Sequence, residues 1–115
     1  MLYRGSCHCG QLAFEVEGEL DAAIACNCSI CSRKGALLWA VPHGNLRLFA
    51  AGDSIGTYVF NHRVIEHRFC RSCGIHPFAE DIAGKNPRSA YINIRCLKDI
   101  ELASVPVIEF DGRSV

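Results

Sequence analysis

The sequence predicts a small all-β domain. Apolar residues recur in short runs that alternate with polar ones or end at turn formers. No helical periodicity lasts beyond one or two turns. The 115 residues allow one domain, residues 1–115, with roughly two-thirds of the extended-chain surface available for burial. Half the residues are apolar and 21% are charged, which excludes a disordered chain.

The elements follow in order. Residues 11–17 (QLAFEVE) predict a strand with Leu12, Phe14 and Val16 on one face. Residues 21–25 and 29–34 each suit one helical turn. Residues 36–42 (ALLWAVP) predict a buried strand, apolar throughout. Residues 46–49, 56–60 and 65–69 predict short strands separated by Gly, Asn and Asp. Residues 89–97 (SAYINIRCL) alternate, with Ala90, Ile92, Ile94 and Cys96 on one face. Residues 105–110 form a last strand that Asp111-Gly112 ends.

Composition excludes several classes of function. Twelve basic and twelve acidic residues leave no cationic surplus for phosphates, so no nucleic-acid partner is expected. The apolar runs are far shorter than the ~20 residues of a membrane-spanning helix. The start MLYRGSCHCG has no apolar signal region, so a cytoplasmic location with reduced thiols is expected. No dinucleotide fingerprint or phosphate loop occurs. No motif sets an oligomeric state.

Eight cysteines in a reducing compartment need a reason other than disulfides. Seven fall into three clusters: Cys7 and Cys9 in SCHCG, Cys26, Cys28 and Cys31 in ACNCSICSRKG, and Cys70 and Cys73 in FCRSCG. Such spacing lets one tight turn aim several sulfurs at one point. Four thiolates at about 2.3 Å close a tetrahedral zinc site, whereas three leave an open position. Counting pairs Cys7, Cys9, Cys70 and Cys73 in a closed structural site. It leaves Cys26, Cys28 and Cys31 as an open one, for two zinc ions per chain. Gly10 and Gly74 suit knuckle turns with positive φ. Other pairings of the clusters stay open on sequence alone, as do an iron–sulfur cluster, a redox Cys70/Cys73 pair, and closure of the second site by a nearby His or Cys96.

The remaining candidates carry weaker signals. Arg33 and Lys34 follow the three-cysteine cluster and are candidates to bind substrate carboxylates or offset the charge of three thiolates. His8 is expected to face solvent. His76 is a rival ligand, outnumbered by thiols. His43, His62 and His67 carry no motif and read as surface or strand residues. Cys96 reads as a small core residue, and Trp39 and Phe78 as core aromatics.

CHCG, CNCSICSRKG and HRFCRSCG, in that order, resemble the glutathione-dependent formaldehyde-activating enzyme family, whose domain is shared with centromere protein V. YINIRCL and the closing Phe110-Asp111-Gly112 extend the resemblance over nearly the whole chain. It implies a β-tent fold of short antiparallel strands. It implies structural zinc on Cys7, Cys9, Cys70 and Cys73, and active-site zinc on Cys26, Cys28 and Cys31. It also implies carbon–sulfur lyase-type chemistry: condensation of glutathione, or another small thiol, with formaldehyde or a related aldehyde. A substrate thiol suits the open zinc position, because coordination to zinc deprotonates it. Two alternatives remain at this stage. One is a zinc-stabilised binding module without catalysis, expected if a fourth protein ligand closes the second site. The other is methionine sulfoxide reduction with Cys96 as nucleophile.

Overall fold

A computed structural model describes residues 1–50 and 52–114. Its strands are β1 (Leu2–Ser6), β2 (Leu12–Glu17), β3 (Ala23–Cys26), β4 (Leu38–Pro42), β5 (Leu46–Ala50), β6 (Ile55–Tyr58), β7 (Ile65–Cys70), β8 (Phe78–Asp81), β9 (Ser89–Asn93) and β10 (Val107–Phe110). The helix α1 covers Ser29–Lys34, and four further segments form single 3₁₀ turns. The small all-β class therefore holds. Among the described residues no helix is long and apolar enough to cross a membrane.

Two sheets form. One orders β1-β2-β5 and the other β10-β3-β4-β9-β8-β7-β6. Pairing is antiparallel except between β10 and β3, which run parallel. Their alternating side chains meet in the core. Leu12, Phe14 and Val16 of the small sheet are buried, as the period-two reading requires. Against them lie Trp39 and Val41 of β4, Phe78 of β8, and Ala90 and Ile92 of β9. Tyr3 meets Trp39 edge-on, with ring centroids 5.4 Å apart.

Three local expectations change. Residues 21–25 suit a helical turn by composition, but positions 23–26 are strand β3. Parallel pairing with β10, over eighty residues later, decides it; Ile24 faces Ile108 and Cys26 faces Phe110. The strand expected over 89–97 stops at Asn93, whose side-chain oxygen accepts the Arg95 amide and starts a 3₁₀ turn over Ile94–Cys96. Cys96 therefore leaves the face it would share with Ile92 and sits half-buried beside the core. Strands β1 and β8 appear where no strand was expected. β1 carries Gly5, and β8 carries Glu80 and Asp81, all poor strand formers.

Two of those residues are buried acids with partners. Glu80 accepts from His43 Nε2 at 2.7 Å, Arg68 Nε at 2.8 Å and an Arg88 guanidinium nitrogen at 3.2 Å. Asp81 accepts from the Ser89 amide at 2.9 Å and the Tyr91 hydroxyl at 3.0 Å. Full pairing makes their burial tolerable.

The Phe14 ring fills the space between the sheets. Phe14→Ala should lower stability by about 3–5 kcal/mol. Chemical denaturation checks this, and a loss under about 1 kcal/mol would mean the sheets close over the gap.

Candidate metal centres and the cavity beside them

The Cys7, Cys9, Cys70 and Cys73 sulfurs lie within 4.8 Å of one another. Cys7 and Cys9 come from the β1–β2 turn, and Cys70 and Cys73 from the end of β7 and the turn after it. Sγ–Sγ separations of 3.7 Å (Cys7 to Cys9) and 3.5 Å (Cys9 to Cys70) approach the ~3.8 Å edge of a tetrahedron with 2.3 Å legs. Gly10 (φ 85°) and Gly74 (φ 80°) turn both loops through the left-handed region, as the knuckle reading requires. Backbone amides also point at sulfur: Leu12 donates to Cys7 at 3.4 Å and Cys73 to Cys70 at 3.5 Å. The Cys73 amide foremost holds the Cys70 thiol below its usual range.

Cys26, Cys28 and Cys31 form the second group, again within 4.8 Å. Cys26 ends β3, Cys28 caps α1, and Cys31 lies one turn into the helix on the same side. Among the described residues no fourth His, Cys, Asp or Glu joins them. Burial foremost, and then the Cys28 thiol, pushes Cys31 up to about 12. A bound metal ion would deprotonate all three, and soft sulfur donors are consistent with zinc. The chain end straps this group. Asn27, between two of the thiols, donates from Nδ2 to Asp111 Oδ1 at 2.9 Å and accepts the Arg113 amide on Oδ1 at 2.9 Å. A Cβ on Gly112 would collide with Cys26 Sγ, which gives the Phe110-Asp111-Gly112 motif a steric reason.

Beside the second group opens a cavity of about 290 Å³. Cys26, Cys28 and Cys31 line it, and none of the first four thiols does. Its floor is the outer face of the large sheet. His67, Ala79, Tyr91 and Ala40 stand opposite one another across β7, β8, β9 and β4. All four line the cavity. β4 is thus apolar on both faces: Trp39 and Val41 enter the core, while Leu38 and Ala40 face the cavity.

Lys34 and Arg33 diverge because neighbours on a helix point about 100° apart. Lys34 lines the cavity, and its Nζ lies 3.1 Å from His67 Nδ1 and 3.2 Å from His76 Nε2. His76 Nδ1–H donates to the Arg68 carbonyl at 2.8 Å. That leaves Nε2 to accept from Lys34. Burial, followed by the Lys34 charge, holds both imidazoles down at about 4, so both are neutral at neutral pH. Burial also lowers the Lys34 ammonium. Arg33 instead donates to the Ser29 carbonyl at 2.7 Å and lines a shallow surface dip behind Ile30 and Phe60, which wall the cavity too.

The sequence reads His76 as a rival metal ligand and His67 as a strand residue without a motif. Neither joins a thiol group, and both meet Lys34 instead. His8 and His62 are exposed, and His43 belongs to the Glu80 network. Cys96 is absent from the cavity lining, and burial pushes its thiol up to about 11. A thiol protonated at neutral pH is a poor nucleophile, which counts against sulfoxide reduction.

The family model described as "Glutathione-dependent formaldehyde-activating enzyme" matches residues 2–110. A crystal structure of a Rhodobacter sphaeroides protein superposes with a TM-score of 0.78 at 32% identity, covering 91% of this chain and 99% of that one.

Two outcomes follow from this geometry. Cys70→Ala should give an insoluble or unfolded chain, because a structural zinc contributes an apparent ~10–16 kcal/mol to folding. Cys28→Ala should fold and carry one metal ion fewer by elemental analysis; a Cys70→Ala chain that melts normally would refute the distinction. For the histidines, a folded-state value of about 4 against an ordinary 6.5 means that the unfolded chain binds more protons between those limits. Stability contributed by neutral His67 and His76 is therefore complete above pH 6.5 and lost as pH falls toward 4. NMR should show both rings neutral down to about pH 5. Lys34→Met should raise both values, yet leave them below the ordinary one because burial is the larger cause.

Proposed function

This chain belongs to the glutathione-dependent formaldehyde-activating enzyme family, and from that premise we propose that it is a zinc-dependent enzyme, one domain over residues 1–115, of carbon–sulfur lyase type. It makes or breaks the bond between a small thiol, glutathione first among them, and the carbon of formaldehyde or a related aldehyde. One observation carries this reading: the three-thiol group forms a wall of the cavity and has no fourth protein ligand among the described residues. A binding module would have no need of that opening.

Zinc at Cys26, Cys28 and Cys31, when bound, supplies a soft position that takes the incoming sulfur as thiolate. In the forward direction the thiolate sulfur adds to the carbonyl carbon. A carbon–sulfur bond forms, the carbonyl π pair moves onto oxygen, and that oxygen takes up the proton that the thiol gave up. The reverse direction returns thiol and aldehyde. Lys34 has three N–H donors, and two face imidazole acceptors. The third is left for the oxygen on which negative charge grows, in a setting of low dielectric where such a donor counts most. The same ammonium offsets the net negative charge of three thiolates around a divalent ion. Neutral His67 and His76 hold Lys34 in place without competing for its charge. Arg33, in the outer dip, suits a carboxylate of the tripeptide while its thiol enters the cavity.

Elemental analysis of the reduced protein should give two zinc ions per chain, one of them shielded from chelators by glutathione. One zinc, indifferent to glutathione, would move the reading to a binding module. Lys34→Met should keep both zinc ions and lose on the order of 10²-fold in kcat/KM. Arg33→Ala should act mainly through KM. Unchanged kinetics in both variants would make the two residues bystanders.

A further inference from the structure

Formaldehyde brings one carbon and one oxygen to an adduct. The cavity of about 290 Å³ is much larger than that, near the lower end of small-molecule sites. Its chemistry is also wrong for a hydroxymethyl group alone. Ile24, Leu38, Phe60, Ile65 and Phe110 stand on its wall, and the floor is low at Ala79, between His67 and Tyr91, and at Ala40, beyond Tyr91. The polar groups on the lining have other engagements. Tyr91 donates its hydroxyl to Asp81, His76 donates to a backbone carbonyl, and Lys34 bridges the two imidazoles. A one-carbon substrate would leave this apolar surface facing water, and apolar surface of this kind binds apolar groups.

We propose that the carbonyl partner is an aldehyde carrying an apolar chain or ring of several carbons, seated against Leu38, Ile65 and Phe60, with its oxygen toward Lys34. The proposal rests on the reading of the three-thiol site as thiol-binding and names the electrophile that site serves. Addition is the step written above, with the aldehyde substituent unchanged throughout. The walls also limit size. Ala40 is exposed at the end of the floor row. A larger side chain there would occupy the space of the substituent without opening the core.

Calorimetric titration of the zinc-loaded full chain with S-methylglutathione and S-hexylglutathione tests this without turnover. The hexyl compound should bind at least about tenfold more tightly, since each buried methylene strengthens binding. Ala40→Leu should bring the ratio toward one. In parallel, kcat/KM is measured for glutathione adducts of formaldehyde, hexanal and benzaldehyde. The two larger adducts should exceed the formaldehyde adduct by about tenfold or more. Equal affinities of the two thioethers, or a preference for the formaldehyde adduct, would overturn the inference and leave the proposed function standing. A steep chain-length series with no turnover of any adduct would fell the lyase reading and this inference with it, and leave the cavity an apolar-ligand site. Tight binding of 1-hexanethiol together with a flat aldehyde series would place the apolar group on the thiol, and overturn the assignment to the aldehyde.

Discussion

The constraint on which the rest depends is the meeting of four thiols from two distant turns. Cys7 and Cys9 belong to the small sheet, and Cys70 and Cys73 to the large one. A shared metal ion would make this a cross-link between sheets. Among the described residues no strand of one sheet pairs with a strand of the other, and Gly5 of β1 bridges only to Leu97, beyond the end of β9. A chain of this length has a modest core and little stability to spare. A metal-thiolate knot at one end of the interface would compensate. It would also fix the register of β7, because the turn that carries Cys73 begins where that strand ends.

From that fixed register the functional face follows. With β7 set, His67 must alternate with Arg68: one faces the cavity, the other the buried Glu80. The same alternation through β8, β9 and β4 divides the large sheet into a core face and a cavity face. A one-residue slip would send Trp39 into the cavity and Ala40 into the core. The register of β7 thus decides which side chains reach the cavity beside the second group.

Much of this was legible from the residues. Cluster spacing sorted the thiols into the two groups that the structure brings together, and the strand at 11–17 and the turn at 29–34 needed only local pattern. What escaped depends on distant partners. β3 exists because β10 lies beside it, and β8 tolerates Glu80 and Asp81 because Arg68, Arg88 and Tyr91 reach them. His67 and His76 gain their role from Lys34, 33 and 42 residues away. The apolar run 36–42 reads as a buried strand. It is flanked by core on one side and cavity on the other, and no one-dimensional pattern separates those cases.

The two thiol groups also show how one donor type serves two ends. Four thiolates around a divalent ion carry two net negative charges and leave no position free, so such a site can only hold structure. Three would carry one, which a single ammonium can balance. Lys34 is the ammonium that the cavity lining supplies. The described residues pair no carboxylate with it, and the groups that hold it are uncharged. A carboxylate in place of either imidazole would neutralise Lys34 before a substrate arrived. Neutral imidazoles orient the cation and leave its charge to the cavity. Their burial, which keeps them neutral, is therefore part of the same electrostatic arrangement as the missing fourth ligand.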